Sequence, residues 1–198
     1  MAMQVLGKIN GRLKFLYRKE KFLTPSLKRL LCNALIQPHF DFACLAWYPN
    51  LNKKTKKKIQ TCQNKCIRFC LKLKNRCHIG VKEFKLINWL PTKERFEQCL
   101  LVNIYNFINH LAPVYIVWFS SHKTRSFFQM LMLPSQTSNR RLQTISYLGP
   151  RLWNSLPTIV KSAGSVNTFK HKIKELFFYL IIKICLLYTS DAADEEEV

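Results

Sequence analysis

Glycine and acidic residues are both scarce in this chain of 198 residues, and the two scarcities exclude several classes of chemistry. The five glycines stand at none of the spacings of a phosphate-binding or dinucleotide-binding loop, so the common nucleotide-binding motifs are excluded. Residues 1–184 contain no adjacent pair of aspartates, which two-metal phosphoryl transfer would require. The histidines and cysteines occur without a supporting acid in any local signature of nucleophilic catalysis. We therefore expect no catalytic residue and no cofactor in this chain.

A regular pairing pattern is missing from the eight cysteines, and no secretory signal is recognisable at the N-terminus. This usage is typical of reduced thiols inside a cell. Cys62, Cys66, Cys70, Cys77 and His78 have the residue types of a zinc site. However, Cys62 and Cys70 would lie about 12 Å apart along one helix, too far to share a zinc ion with bonds of about 2.3 Å. A zinc site made of Cys77, His78 and two of the three helix cysteines, Cys62, Cys66 and Cys70, remains an alternative. The favoured interpretation is that the helix cysteines form part of the core and bind no metal.

The C-terminal end combines the strongest apolar run of the chain with an acidic tail. The run, residues 176–188, is interrupted by Lys183 and is shorter than the roughly 20 residues of a membrane-spanning helix, so we expect no membrane anchor. Residues 185–195, CLLYTSDAADE, resemble the translation of a transposase adaptor used in preparing sequencing libraries. We therefore treat residues 185–198 as an artefactual tail in the fold prediction, with a natural acidic tail as the alternative.

Positive charge is what the chain has in excess. It carries 32 Lys and Arg against 11 Asp and Glu, a formal net charge of +21, and five of the acids lie in the last eight residues. Such an imbalance indicates an anionic partner. The hydrophobic fraction of 48% and the aromatic fraction of 13% are too high for a disordered basic tail, so we expect a folded basic protein.

Apolar residues recur at helical spacing over most of residues 1–111 and predict a bundle of α-helices. The first is a basic amphipathic helix with an apolar stripe between Leu6 and Tyr17. Thr24 before Pro25 predicts the start of a second helix. The Thr24 hydroxyl can accept a hydrogen bond from a backbone amide of the first turn that has no partner within the helix, and Pro at the first helical position has no N–H that would need a partner. Pro38 ends or kinks this helix. The residues that we expect it to bury are Leu27, Leu30, Leu31, Ala34 and Leu35.

A lysine-dense helix is predicted over residues 53–73, with Asn52 as its N-cap. Lysines packed into two turns repel one another, and a bound polyanion would relieve that cost. Trp47 and Tyr48, just before the helix, either stack on bases or belong to the core. The apolar stripe of the helix consists of Ile59, Cys62, Cys66, Ile67, Phe69, Cys70 and Leu73. Its cationic face supplies the predicted nucleic-acid contacts, which are Lys53, Lys54, Lys56, Lys57, Lys58, Lys65 and Arg68.

A small β-hairpin and a last helix are predicted in residues 112–184. Two more helices, over residues 81–91 and 93–110, come before this region. The β-prone runs 127–133 and 142–148 are predicted to pair as a hairpin with a long loop. Ser165 or Asn167 begins the last helix. The predicted fold class is therefore mainly α: a helical bundle over residues 1–111, then an extension with a hairpin and a helix.

Five blocks of sequence, in this order, resemble the C-terminal part of the reverse transcriptases of non-long-terminal-repeat (LINE-type, jockey-like) retrotransposons. The resemblance covers about residues 6–175 and is loosest at residues 120–134. The blocks are LKFLYRKEKFLTPSLKRLLCNALIQPHFDFACLAWYPN at 13–50, IQTCQNKCIRFC at 59–70, INWLPTKERF at 87–96, LGPRLWNSLP at 148–157 and VNTFKHKIKE at 166–175.

The resemblance implies that residues 1–111 are the thumb of such a polymerase and residues 112–184 its C-terminal extension. In that family this region holds the template and primer duplex against the palm, and residues 53–65 would lie at or near the nucleic-acid path. The family's catalytic motif, an aromatic residue and a pair of aspartates, belongs to the palm upstream and does not occur here. The resemblance therefore implies a fragment, without palm, fingers or endonuclease, that binds RNA or an RNA–DNA duplex non-specifically and does not polymerise alone.

Two other interpretations stay open at the level of sequence. The chain is a structural or protein-interaction helical domain with no nucleic-acid contact, or it is a dead remnant that never folds stably. For the favoured interpretation we expect a location inside the cell, in the nucleus or the cytoplasm. The palm and fingers of the parent polymerase would then be protein partners.

Overall fold

Helices make up most of the structure, and the prediction of a mainly α fold is confirmed. The computed structural model describes residues 2–112, 121–122, 130–133 and 144–194, with side chains except at 121–122 and 184–194. The helices are α1 (Ala2–Arg18), α2 (Pro25–Leu35), α3 (Gln37–Asp41), α4 (Cys44–Trp47), α5 (Lys53–Leu71), α6 (Val81–Ile87), α7 (Thr92–Ile108), α8 (Ile145–Asn154), α9 (Thr158–Lys161) and α10 (Val166–Asp194), with a 3-10 turn at Glu20–Phe22.

Local capping explains where several of these helices begin and end. The Thr24 hydroxyl accepts a hydrogen bond from the Leu27 amide at 3.3 Å, which confirms the predicted start of α2. Asn52 Oδ1 accepts from the Thr55 amide at 2.8 Å and caps α5 in the same way. At the other end of α5, Lys72 adopts a left-handed conformation, with φ at 53°, and its amide donates to the Arg68 carbonyl.

The lysine-dense helix α5 is the centre of the N-terminal half. It packs against α1, α2, α6 and α7, and α7 in turn contacts α8 and α10. The regions predicted at 1–111 and 112–184 therefore share one continuous core. The predicted apolar stripe of α5 is buried in it from Ile59 to Cys70. Residues that are fully buried in this core include Ile9, Ile36, Cys66, Ile67, Leu100, Ile104, Phe169 and Ile173.

The orientation of α2 is only partly as predicted, because Leu31 and Leu35 are half-buried and pack against the core while the other three predicted residues do not. Leu27, Leu30 and Ala34 are exposed, while Lys28 and Cys32 are buried. The physical reason lies on the polar side of the helix. The Lys28 ammonium pairs with Glu20 and lies 4.8 Å from the centroid of the Phe69 ring, so its charge is compensated below the surface.

The predicted pairing of residues 127–133 with 142–148 is not confirmed. Residues 145–148 form the first turn of α8, and residues 127–129 and 142–143 lie outside the described part of the chain. The structure instead pairs two short strands, β1 (Ser121–His122) and β2 (Met130–Leu131), in antiparallel register. The Asn154 side chain of α8 fastens β2, because it accepts from the Leu131 amide at 3.0 Å and donates to the Leu131 carbonyl at 2.9 Å.

The last helix, α10, begins as predicted. The Ser165 hydroxyl accepts from the Thr168 amide at 3.2 Å, and Phe169, Ile173 and Phe177 of the helix are buried. Its backbone continues as helix through the predicted artefactual tail to Asp194. Across the ranges that the structure describes, none of the helices has the length and apolar character to cross a membrane.

Candidate nucleic-acid interface

Two helices without a single acidic residue, α1 and α5, lie side by side. No Asp or Glu occurs before Glu20 or between residues 42 and 82. The two helices pack directly against each other, and the Cys62 thiol of α5 lies 3.5 Å from Asn10 Oδ1 of α1, at hydrogen-bond distance for sulfur. Their cations therefore meet no opposing carboxylate on either helix.

A groove of about 580 Å³ runs between α1 and α5. Its α5 wall carries Lys54, Lys57, Lys58, Thr61 and Lys65. Its α1 wall is uncharged and consists of Met3, Gly7 and Asn10. Between the walls, Leu6 and Cys62 form an apolar floor.

Of the seven predicted contact residues, the structure brings four together in this groove and places three elsewhere. Lys53 is exposed at the first position of α5 and does not line the groove. The Lys56 ammonium lies 5.1 Å from the centroid of the Tyr48 ring on the other flank of the helix. Burial lowers the pKa of Lys56, and the neighbouring Lys93 lowers it further. Arg68 donates twice to the Cys77 carbonyl, at 3.0 and 2.8 Å, and so joins the end of α5 to the following loop.

Three of the four groove lysines lie near the N-terminus of α5, where a helix is least able to compensate positive charge. Lys54 is in the first turn of α5, where the backbone amides already carry partial positive charge. Lys57 and Lys58 follow it three and four residues later, so the three ammonium groups project from one face and repel one another. A polyanion seated in the groove would relieve both costs.

The uncharged wall was not predicted from the sequence. Met3, Gly7 and Asn10 recur at helical spacing, a signal that places them on one face of α1. Nothing in their residue types indicated binding, and no local pattern shows that α1 lies beside α5. The wall is visible only once the two helices are packed.

Trp47 and Tyr48 belong to the core, which decides between the two alternatives that the sequence left open. Both are buried, and the Trp47 indole donates to the Phe42 carbonyl at 2.8 Å. The Tyr48 ring stacks on Phe96 with 5.0 Å between the centroids. Neither ring is available to stack on a nucleobase.

The cysteines of α5 also belong to the core. Cys62, Cys66 and Cys70 are buried, and the Cys66 thiol donates to the Cys62 carbonyl one turn earlier at 3.3 Å. Burial raises the pKa of the Cys62 and Cys66 thiols, which keeps them protonated and unsuited to nucleophilic attack. In the described ranges, no three His, Cys, Asp or Glu side chains come close enough together to hold a metal ion.

A second groove, of about 520 Å³, lies on the other flank of α5 against α7. Lys56, Lys57 and Lys93 line it together with Glu97, and the Lys93 ammonium is 3.9 Å from Glu97 Oε1. Burial raises the pKa of the Glu97 carboxyl. Because it contains a carboxylate, this groove suits a polyanion less well than the groove between α1 and α5.

Comparisons of the chain with family models, with curated proteins and with solved structures found no match. Four ammonium groups on one wall of the α1–α5 groove can neutralise several phosphates at once. The described residues that line the groove include no Asp, Glu or His.

Proposed function

We propose that the chain is the thumb and C-terminal extension of a non-long-terminal-repeat retrotransposon reverse transcriptase. In this role it binds RNA or an RNA–DNA duplex inside the cell without sequence preference. The observation that carries the binding proposal is the acid-free groove between α1 and α5, with Lys54, Lys57, Lys58 and Lys65 on one wall. Lysine ammonium groups neutralise phosphates regardless of the bases attached to them.

The distribution of charge supports a binding role over a general contribution to solubility. Solubility would be served by cations spread over the surface and mixed with acids. Here α5 carries seven cations in 19 residues and no acid, and four of the seven converge on one groove. Such a concentration costs folding free energy through repulsion, and the cost is offset when phosphates bind.

The proposal assigns no reaction to this chain. Polymerisation would belong to the palm of the parent enzyme, whose aspartate pair has no counterpart in residues 1–184. The chain would bind the nucleic acid, and the palm and fingers would be its protein partners.

The binding proposal is tested with a fluorescently labelled RNA–DNA heteroduplex in anisotropy titrations at several salt concentrations. We expect replacement of Lys54, Lys57, Lys58 and Lys65 by Gln to weaken binding on the order of 100-fold near 0.1 M salt. The slope of log affinity against log salt should fall by about 3, because roughly one counterion is released per phosphate contact.

A matched control removes the same four charges from exposed positions outside the groove. Lys21, Lys74, Lys82 and Lys170 are exposed, and none of them lines the groove. We expect their replacement by Gln to change the salt slope by less than about 1. Equal effects of the two quadruple variants would mean that binding follows net charge, and the groove would lose its assigned role.

A second candidate function, a helical protein-interaction domain, is favoured by one observation. Part of the apolar surface of α2 is exposed to solvent, at Leu27 and Leu30. Exposed apolar surface of this kind marks many protein interfaces. A chain with only this function would show no affinity for the heteroduplex near physiological salt, so the same titration separates the two candidates.

A further inference from the structure

We propose that the α1–α5 groove binds an unpaired strand of nucleic acid more tightly than it binds a duplex. This inference rests on the proposed function and names its ligand more closely. It starts from the asymmetry of the groove: all four ammonium groups lie on the α5 wall, and the groove-lining residues of α1 carry no charge.

A single strand has the same asymmetry. Its phosphates run along one edge, and its unstacked bases project from the other. Laid in the groove, the phosphate edge follows Lys54, Lys58 and Lys65, and the bases lie toward α1. In a duplex the bases are paired inside, so the uncharged wall would face phosphates for which it has no partner.

The apolar floor of the groove also favours an unpaired strand. Leu6 and Cys62 line the bottom of the groove, and Met3, at 64% exposure, stands beside them at the rim. A phosphate pressed against such a floor would lose water without gaining a hydrogen bond. The flat apolar face of a nucleobase loses little, and a methionine thioether packs well against an aromatic ring.

Gly7 supplies the space that this ligand needs. A β-carbon added at Gly7 would meet no atom within 4 Å, so nothing inside the protein requires a glycine there. A glycine within a helix is destabilising relative to other residues. Its place in the α1 wall leaves the backbone open to close approach by the bound strand.

The experiment compares Gly7→Leu with Gly11→Leu. Gly11 lies one turn later in α1, also has open space around its β-carbon and does not line the groove. Both changes should preserve the fold and raise the thermal midpoint, because leucine favours a helix more than glycine does. We expect Gly7→Leu to weaken binding of the single strand on the order of tenfold, and Gly11→Leu to leave it unchanged.

The probe is a labelled single-stranded RNA of about 12 nucleotides, a length within the usual range of single-strand binding sites. The same strand annealed to complementary DNA serves as the duplex, and both are titrated against the full chain and the two glycine variants. Tighter binding of the unpaired strand, lost in Gly7→Leu alone, supports the inference.

Two other outcomes overturn the inference in distinguishable ways. If the duplex binds at least as tightly, the groove lysines still control the salt slope, and Gly7→Leu has no effect, the groove takes the duplex backbone. The proposed function would then stand without this inference. If neither probe binds near 0.1 M salt, the proposed function fails, and the inference fails with it.

Discussion

The helices α2 and α5 are both amphipathic, yet α5 buries its apolar stripe while α2 leaves part of its apolar face exposed. In α5 the apolar stripe is buried and the lysines are outside. In α2 Leu30 is 62% exposed, whereas Lys28 and Cys32, one helical turn apart, are fully buried. The difference teaches that an amphipathic pattern identifies an apolar face but does not say whether the same chain covers it.

The cause of the difference is the set of polar contacts on the inner side of α2. The Lys28 ammonium pairs with Glu20, and Asn33 Oδ1 accepts from the Trp89 indole at 2.6 Å. These contacts hold the polar side of the helix against the rest of the molecule. In α5 the polar contacts of Gln63 with the Leu90 carbonyl and of Gln60 with Thr92 lie beside the apolar stripe, so polar contacts and the hydrophobic effect favour burial of the same face.

The largest expected effect comes from the buried stripe of α5. Phe69 is 1% exposed, and its ring contacts Tyr17, with 4.8 Å between the centroids, and the Lys28 ammonium. We expect Phe69→Ala to lower the free energy of unfolding by about 3–5 kcal/mol, because it leaves a cavity and takes the ring from Lys28. Denaturant titration followed by circular dichroism measures the loss.

Phe22 provides the matched control for this change. Its side chain is 79% exposed, so Phe22→Ala should alter the free energy of unfolding by less than about 0.5 kcal/mol. Similar losses in the two variants would contradict the assignment of Phe69 to the core. The absence of any cooperative transition in the unmodified chain would instead support the interpretation as a remnant that does not fold.

An intermediate effect is expected from the ion pair that orients α2. Glu20→Gln leaves the Lys28 ammonium buried without its counterion and should cost about 2 kcal/mol. The cost stays below that of a fully buried pair because the Glu20 side chain is 38% exposed. Denaturant midpoints of the single variants and of the Glu20→Gln, Lys28→Met double variant measure it.

The Lys28→Met change tests the same pair from the other side. Methionine keeps the length of the side chain and brings no charge into the core, so this variant should cost less than Glu20→Gln. In the double variant the loss from Glu20→Gln should largely disappear. A double variant as unstable as the sum of the two single variants would show that the pair does not orient the helix.

Much of the local structure followed from the sequence. The starts of α2 and α5 could be predicted at Thr24 and Asn52 because a cap involves only the next three residues. The orientation of α2 could not, since the contact between Asn33 and Trp89 joins residues 56 positions apart. The strand predicted at residues 142–148 was wrong for residues 145–148, which the structure describes as helix. β-Propensity depends on the side chains that surround a segment in the fold, and these residues pack as part of α8.

The candidate site was predictable in part for the same physical reason. The density of lysines in the sequence indicated that α5 carries the binding surface, and the residues predicted from it include the four groove lysines. It also included Lys56 and Arg68, whose contacts with Tyr48 and Cys77 depend on the packing of the chain. Gly7 could not be predicted, because its role follows from the pairing of α1 with α5.

The smallest expected effect comes from the exposed face of α2. Replacing Leu27 and Leu30 by Gln keeps a similar helix propensity and removes only apolar surface that faces solvent. We expect the free energy of unfolding to change by less than about 0.5 kcal/mol, as measured by denaturant titration. The matched control is Leu16→Gln, because Leu16 is 2% exposed and a buried, unpaired amide should cost several kcal/mol, about as much as a core truncation. A loss above about 1 kcal/mol in the α2 variant would mean that the leucines are covered within this chain, and the protein-interaction candidate would then lose the observation that favours it.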